Sequence, residues 1–145
     1  MKISTKGRYA LRLMICLGTH AEEGSMPLKR ISVEEGITVK YLEQISSKLS
    51  KAGLIESVRG AHGGYRLSRD MDDYTVREIL EASEGLMVPV ACLEPGADMC
   101  PRRGKCSTIK FWEGMYNAIA EYTGSITLKD LVTDHEECLA AVDGF

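Results

Sequence analysis

No stretch of this 145-residue chain approaches the roughly 20 consecutive apolar residues that a membrane span needs, and its longest apolar stretches are broken by Lys, Arg or Glu. The opening residues, Met1 to Arg8, lack the apolar core and cleavage site of a signal peptide. Both absences predict a cytoplasmic protein with no membrane partner. There is no internal repeat and no low-complexity segment, and a hydrophobic fraction of 44% excludes a disordered chain. The three histidines are scattered, no two cysteines stand at redox spacing, and no phosphate-cradling glycine loop precedes a helix. The equipment of an enzyme is missing, so no catalytic residue is expected.

What the chain does have is an uneven charge. The formal net charge is −3, but residues 1–69 carry 12 Lys/Arg against 6 Asp/Glu, while residues 70–145 carry 6 against 15. A net +6 joined to a net −9 suits a module that binds a polyanion and a remainder that stays off it.

The basic half reads as helices and a hairpin. From Ser4 to His20, Ala10, Leu13, Met14 and Leu17 step at helical spacing, with Cys16 as a small core residue. Gly24-Ser25-Met26-Pro27 breaks the pattern, and a short helix follows from Leu28 to Glu35. Gly36 is placed to end it in a left-handed conformation, and Thr38 to cap the next helix, about 39–52. In that helix Leu42, Ile45, Leu49 and Ala52 form the inward stripe; Lys40, Glu43, Gln44, Ser47, Lys48 and Lys51 fall opposite. Short helix, glycine turn, second helix with a polar and cationic outer face: this is the grammar of a helix-turn-helix. Two alternating segments, Leu54–Arg59 and Tyr65–Ser68, flank the glycine-rich tip Gly60-Ala61-His62-Gly63-Gly64, which makes a wing. Arg59 and His62 at its tip are placed for a minor groove.

The acidic half opens with a capping box, Thr75 to Glu78, on a helix whose inner face is Val76, Ile79 and Leu80. A long connection, about 86–105, carries little periodicity, and a connection of that length implies a function of its own. A helix over about 107–123 then aligns Ile109, Trp112, Tyr116 and Ile119 as a short seam, broadened by Met115 and Tyr122. So apolar a helix needs a partner: a second copy of the chain fits the twofold symmetry of most operator sites, and packing within its own chain is the alternative. Thr127 with Asp130 caps a last short helix. The expected fold is therefore mostly α with a small β-wing. Residues 1–84 form the winged helix-turn-helix, 85–106 a cysteine-bearing loop, 107–133 the dimerisation and short helices, and 134–145 a flexible acidic tail.

Of the five cysteines, Cys92-x7-Cys100-x5-Cys106 lies in and beside the loop. Thiolates are soft ligands suited to iron–sulfur clusters or zinc, and the absence of a Cys-x-x-Cys knuckle argues against structural zinc. Arg102, Arg103 and Lys105 favour the thiolate forms, as does the helix start beside Cys106.

Taken together, Ser4-Thr5-Lys6-Gly7-Arg8-Tyr9-Ala10, Tyr41-Leu42-Glu43-Gln44, and Ala52 to Ile55 with Val58-Arg59-Gly60 and Gly63-Gly64-Tyr65 resemble the Rrf2 superfamily of bacterial winged-helix regulators, over nearly the whole chain. The resemblance implies a homodimer on double-stranded DNA, crossing its long C-terminal helices. Glu43 and Gln44 would reach base edges beside Lys40 and Tyr41, Arg59 and His62 would enter the minor groove, and Lys6, Arg8 and Lys48 would meet phosphates. Lys40 stands where the IscR branch has a small hydroxyl residue, which implies a different preferred sequence.

The three loop cysteines resemble the cluster ligands of the IscR, NsrR and RirA branches. They imply an iron–sulfur cluster, 2Fe–2S or 4Fe–4S, as cofactor. Where the IscR branch has a histidine this chain has Ile109, and where the NsrR branch takes an Asp from the partner it has Arg8. The fourth ligand is left among Glu113, a partner-chain side chain, water and a small thiol. The CymR branch lacks the triad and implies the alternative: a clusterless regulator of cysteine or sulfur metabolism, controlled by a protein partner or by thiol oxidation.

Overall fold

The computed structural model describes residues 1–144. In chain order it forms α1 (Thr5–Thr19), α2 (Leu28–Glu35), α3 (Val39–Lys51), β1 (Ile55–Val58), β2 (Gly64–Leu67), α4 (Val76–Glu84), α5 (Ile109–Ser125) and α6 (Leu128–Asp143). The expected mostly-α architecture with a two-stranded wing is what the chain adopts. Among the described residues, no helix is long and apolar enough to cross a membrane.

Local chemistry sets most boundaries. The Ser4 hydroxyl accepts from the Lys6 amide and opens α1, and the Thr38 hydroxyl accepts from the Tyr41 amide and opens α3. Between them Gly36 turns α2 off at φ 63°, a left-handed conformation that a Cβ disfavours. Reciprocal capping boxes start α4 at Thr75–Glu78 and α6 at Thr127–Asp130.

Leu42, Ile45 and Leu49 of α3 are buried against Leu13, Met14 and Leu17 of α1 and Ile31 of α2, all in one cluster. Each such side chain contributes roughly 1.5–3 kcal/mol of transfer free energy. Ala52, expected in the α3 stripe, is instead the exposed C-cap, because the helix ends at Lys51 and the chain turns so that Leu54 and Ile55 fill the core.

The wing is fastened at both ends. Its strands pair antiparallel from Ile55↔Leu67 to Val58↔Gly64. Met26 and Tyr65 exchange both backbone bonds at 2.9 Å, so the segment before α2 adds a third rung. A Cβ on Gly64, at φ 153°, would sit 2.1 Å from the Met26 carbonyl oxygen, which restricts that position to glycine. At the base, fully buried Tyr74 donates its hydroxyl to the Leu54 carbonyl at 2.7 Å and accepts from the Ser68 and Arg69 amides. One phenol thereby joins the start of β1 to the end of β2.

The C-terminal part differs from expectation in two respects. Helix α6 runs to Asp143, so residues 134–143 are helical rather than a flexible tail; Phe145 lies outside the described residues. The run Glu136-Glu137-Cys138-Leu139-Ala140-Ala141 is rich in helix formers, and its acids are solvated on the helix surface. Leu128 and Val132 are buried in the α1 cluster, which anchors this helix at its start.

The second difference is in α5, which has no buried residue. Ile119 of the expected seam packs against Val76, Leu80 and Met87 of its own chain, and Tyr116 approaches the Arg77 guanidinium at 3.5 Å. The exposed apolar stripe is turned round the helix to Phe111, Met115 and Tyr122, at 64%, 38% and 68% exposure.

Candidate functional site: the helix-turn-helix face and the cysteine loop

Helix α3 shows its polar side to solvent, and Lys40, Glu43, Gln44 and Lys51 are all exposed. Glu43 and Gln44 make no side-chain hydrogen bond among the described residues, and the buried Ser46 hydroxyl behind them donates to the Glu43 backbone carbonyl. Tyr41 is only half-exposed, because its ring packs edge-on against Tyr9 with centroids 5.4 Å apart and holds α3 to α1. At the wing, Arg59 and His62 are exposed, and the His62 carbonyl accepts from the Ser25 hydroxyl at 2.6 Å.

Lys6 and Arg8 flank a position with little room. The Glu84 carboxylate, at the end of α4, accepts from the Ser4 amide, the Ser4 hydroxyl and the Gly7 amide, and so caps α1 from 77 residues away. A Cβ on Gly7 would fall 2.6 Å from that carboxylate oxygen. Burial opposes the charge of Glu84, but the bonds from Ser4 and Gly7, with the nearby Lys48 ammonium, outweigh it and hold the carboxyl below its usual range. Lys48 is itself engaged: its ammonium donates to the Ser83 carbonyl at 3.2 Å. The end of α4 therefore fixes both the start of α1 and the last turn of α3. Sequence reasoning missed this node, since nothing local marks Glu84 as a cap for a distant helix.

From that node the chain leaves as the cysteine loop. Cys92, Cys100 and Cys106 are free and half-buried. Single turns at Ala91–Leu93 and Arg103–Lys105 fold the loop over a cleft of about 410 Å³ that has Cys92 and Arg103 in its lining. Cys106 precedes α5 by three residues. Its thiol is drawn below the ordinary range by the Thr108 hydroxyl, the Thr108 and Ile109 amides at the helix start, and Arg102. Glu113, a candidate fourth ligand, meets the Arg103 guanidinium at 3.4 Å.

Among the described residues, the three thiols do not converge within 4.8 Å of one another; the set of metal-ligating atoms that does is Cys16, His20 and Glu34. A cluster spreads its thiolates over several iron atoms, so its ligands surround it at wider mutual spacing than those of a single ion. Three free, accessible thiols among cations remain a donor set suited to one.

Cys16 is the residue that sequence reasoning undervalued. It is buried at the α1–α2 contact as expected, but its sulfur lies 3.6 Å from Glu34 Oε2. Burial, with Glu34 and Glu35 close by, pushes its thiol up to about 12. The spacing Cys16-x3-His20, which puts both side chains on one helix face, was the available signal.

A compact helical domain with a capped recognition-type helix and a fastened hairpin is a winged helix-turn-helix. Comparison with known proteins agrees. The profile of Rrf2, described as "Iron-dependent Transcriptional regulator", matches residues 3–134, and the chain belongs to this family. The HTH-type transcriptional regulator IscR of Aliivibrio salmonicida is 39% identical over 136 residues, 94% of this chain and 80% of that protein. Among solved structures, T. potens IscR superposes with a TM-score of 0.75 at 38% identity, covering 95% of this chain and 90% of its own. CymR, the global cysteine regulator of B. subtilis, superposes with a TM-score of 0.74 at 39% identity, covering 92% and 97%. The protein is a transcriptional regulator and not an enzyme.

Proposed function

We propose that the chain is a cytoplasmic, homodimeric repressor that reads a specific DNA sequence and reports iron–sulfur status, iron, or redox and nitrosative stress through a cluster held by Cys92, Cys100 and Cys106. The observation that carries this reading is the path of the chain. The loop bearing the three free thiols leaves the end of α4, where Ser83 and Glu84 hold α3 and α1, and enters α5, whose apolar stripe has no cover in its own chain. A change in the loop thus acts on the DNA-reading helices on one side and on the subunit contact on the other.

In this reading Glu43 and Gln44 reach base edges, with Lys40 and Tyr41 at the same end of α3. Arg59 and His62 enter the minor groove, and Lys6 and Arg8 meet phosphates. Lys48 meets phosphate with the N–H groups that its bond to Ser83 leaves free. When bound, a cluster would supply a charge and a ligand geometry that change with oxidation. The chain's own part is to present three thiolates beside Arg102, Arg103 and Lys105, with Cys106 favoured as an anion. The likeness to proteins named IscR supports the cluster.

A second reading has its own support in the likeness to B. subtilis CymR: a clusterless regulator of cysteine or sulfur metabolism, governed by a protein partner or by thiol oxidation. Anaerobic purification, with an absorption spectrum and iron and acid-labile sulfide measured per chain, separates the two. Colour with stoichiometric iron and sulfide, lost when Cys92, Cys100 or Cys106 becomes Ser, is the expected result. A colourless, metal-free chain that still binds its operator overturns the cluster and leaves the second reading.

A further inference from the structure

Where α1 ends against α2, three metal-ligating side chains converge, with Glu23 and Arg30 packed around them. Cys16 and His20 stand four residues apart on one face of α1 and its cap, and Glu34 comes across from α2. Glu34 Oε2 lies 2.9 Å from His20 Nε2 and 3.6 Å from Cys16 Sγ, and all three atoms fall within 4.8 Å of each other. Bonds of about 2.0–2.3 Å to a tetrahedral zinc set neighbouring ligands roughly 3.3–3.7 Å apart, so the three atoms need to move only slightly to close on an ion.

The surroundings hold these atoms in the orientation a metal needs. His20 Nδ1 lies 2.9 Å from Glu23 Oε1. Arg30 Nη2 lies 3.3 Å from the same Nδ1, and in the tautomer that donates from Nδ1 to Glu23 the Nε2 lone pair faces the Glu34 oxygen. The place between them is filled by a proton when Nε2 carries one and is open to a metal ion when it does not. A carboxylate on the far nitrogen of a histidine is the usual outer support of a zinc ligand. The other Glu34 oxygen, Oε1, is held by Arg30 Nε at 3.0 Å, which leaves Oε2 to face the sulfur and the imidazole.

We infer that Cys16 Sγ, His20 Nε2 and Glu34 Oε2 form a site for a single divalent transition ion of the zinc class, with Glu23 and Arg30 orienting the ligands and water at the fourth position. One thiolate, one imidazole and one carboxylate are a donor set shared by zinc and its spectroscopic substitute cobalt, and too soft for magnesium or calcium. On binding, the Cys16 proton passes to solvent and no electron is transferred. The site is separate from the cysteine loop and does not depend on the cluster reading. It would clamp the first helix of the helix-turn-helix to α1, one turn of chain from Ser25 and Met26, which hold the wing.

The test is cobalt(II) titration of the full chain with Cys92, Cys100, Cys106 and Cys138 all replaced by Ser, so that Cys16 is the sole thiol and the loop is silent. The expected result is one equivalent of cobalt bound, with a thiolate-to-cobalt absorption band and tetrahedral visible bands, both erased by one equivalent of zinc(II). His20→Gln and Glu34→Gln lie on the partly exposed side and should keep the circular dichroism of the parent while weakening cobalt at least about tenfold each. Absence of the band, or a band indifferent to both substitutions, overturns the inference and leaves a histidine bridged to two carboxylates by protons alone.

Discussion

From α1 to α4 the inward side chains of every helix join the buried clusters, whereas α5, in the same chain and more apolar, buries none of its residues. The first region is closed by its own side chains together with Leu128 and Val132 of α6. It is tied by Tyr74 at the wing base, by Glu84 at the start of α1 and by Lys48 at the end of α4. The second presents Phe111, Met115 and Tyr122 to solvent and follows a loop whose thiols are free. An apolar helix face left bare is stabilised only from outside the chain, by a second copy or by what the loop binds. The contrast does not follow the division of charge, since Tyr74, Glu84, Leu128 and Val132, which help close the first region, all belong to the acidic half.

The comparison breaks most visibly at the bare stripe. Phe111→Glu places a charge in the proposed subunit contact and is expected to give a folded monomer. Its operator affinity should fall on the order of a thousandfold, because two half-sites are no longer engaged together. Sedimentation and gel-shift measurements check this; a variant that stays dimeric assigns the contact to another surface.

The two regions also differ in how their cysteines behave. In metal-free protein at neutral pH, Cys106, with its thiol drawn down by Thr108 and the helix start, should alkylate roughly a hundredfold faster than Cys16. Cys16, buried and pushed up to about 12, should react only when the fold opens. Mass mapping after timed iodoacetamide treatment reads both, and equal rates would remove the distinction.

Within the scaffold, Glu43→Ala should change which bases are tolerated by about 1–3 kcal/mol of discrimination while leaving affinity for random DNA nearly intact. A binding selection on randomised operators checks it, and a uniform loss across sequences would sink the base-contact role. Binding of either sequence class should weaken steeply with salt, through counterion release.

The smallest effect concerns the node at the end of α4. Glu84 is held below its usual carboxyl range, so its contribution is fully present above the unfolded-state value and is lost as pH falls through the lower folded value. Glu84→Gln should therefore cost about 1 kcal/mol at neutral pH and almost nothing in acid. Thermal melts at a series of pH values would show the two curves converging at the acid end; parallel curves would mean that the charge at Glu84 contributes nothing.

How much of this was legible in advance follows the range of each interaction. The caps at Thr38, Thr75 and Thr127, the stop at Gly36, the stripe Leu42-Ile45-Leu49 and the hairpin are written within a few residues of where they act, and a reader of the chain finds them. The candidate base-reading face of α3 was legible for the same reason: amphipathic spacing says which side chains face out. By itself the sequence also determined the family, through motifs spread along the chain, and the three loop thiols as a candidate ligand set.

What only the tertiary structure decided were the encounters between residues far apart in sequence. Ala52 was placed in the core by period, but the turn after α3 brings Leu54 there instead. The rotation of the bare stripe on α5 depends on Ile119 finding Met87 and Leu80, and the placement of α6 rests on Leu128 and Val132 docking at its start. Lys48 meeting Ser83, Glu84 capping a helix 77 residues earlier, and Glu34 arriving beside Cys16 and His20 belong to the same class. Periodicity says which face of an element turns inward, but not which distant group it meets there; that is settled only when the elements pack.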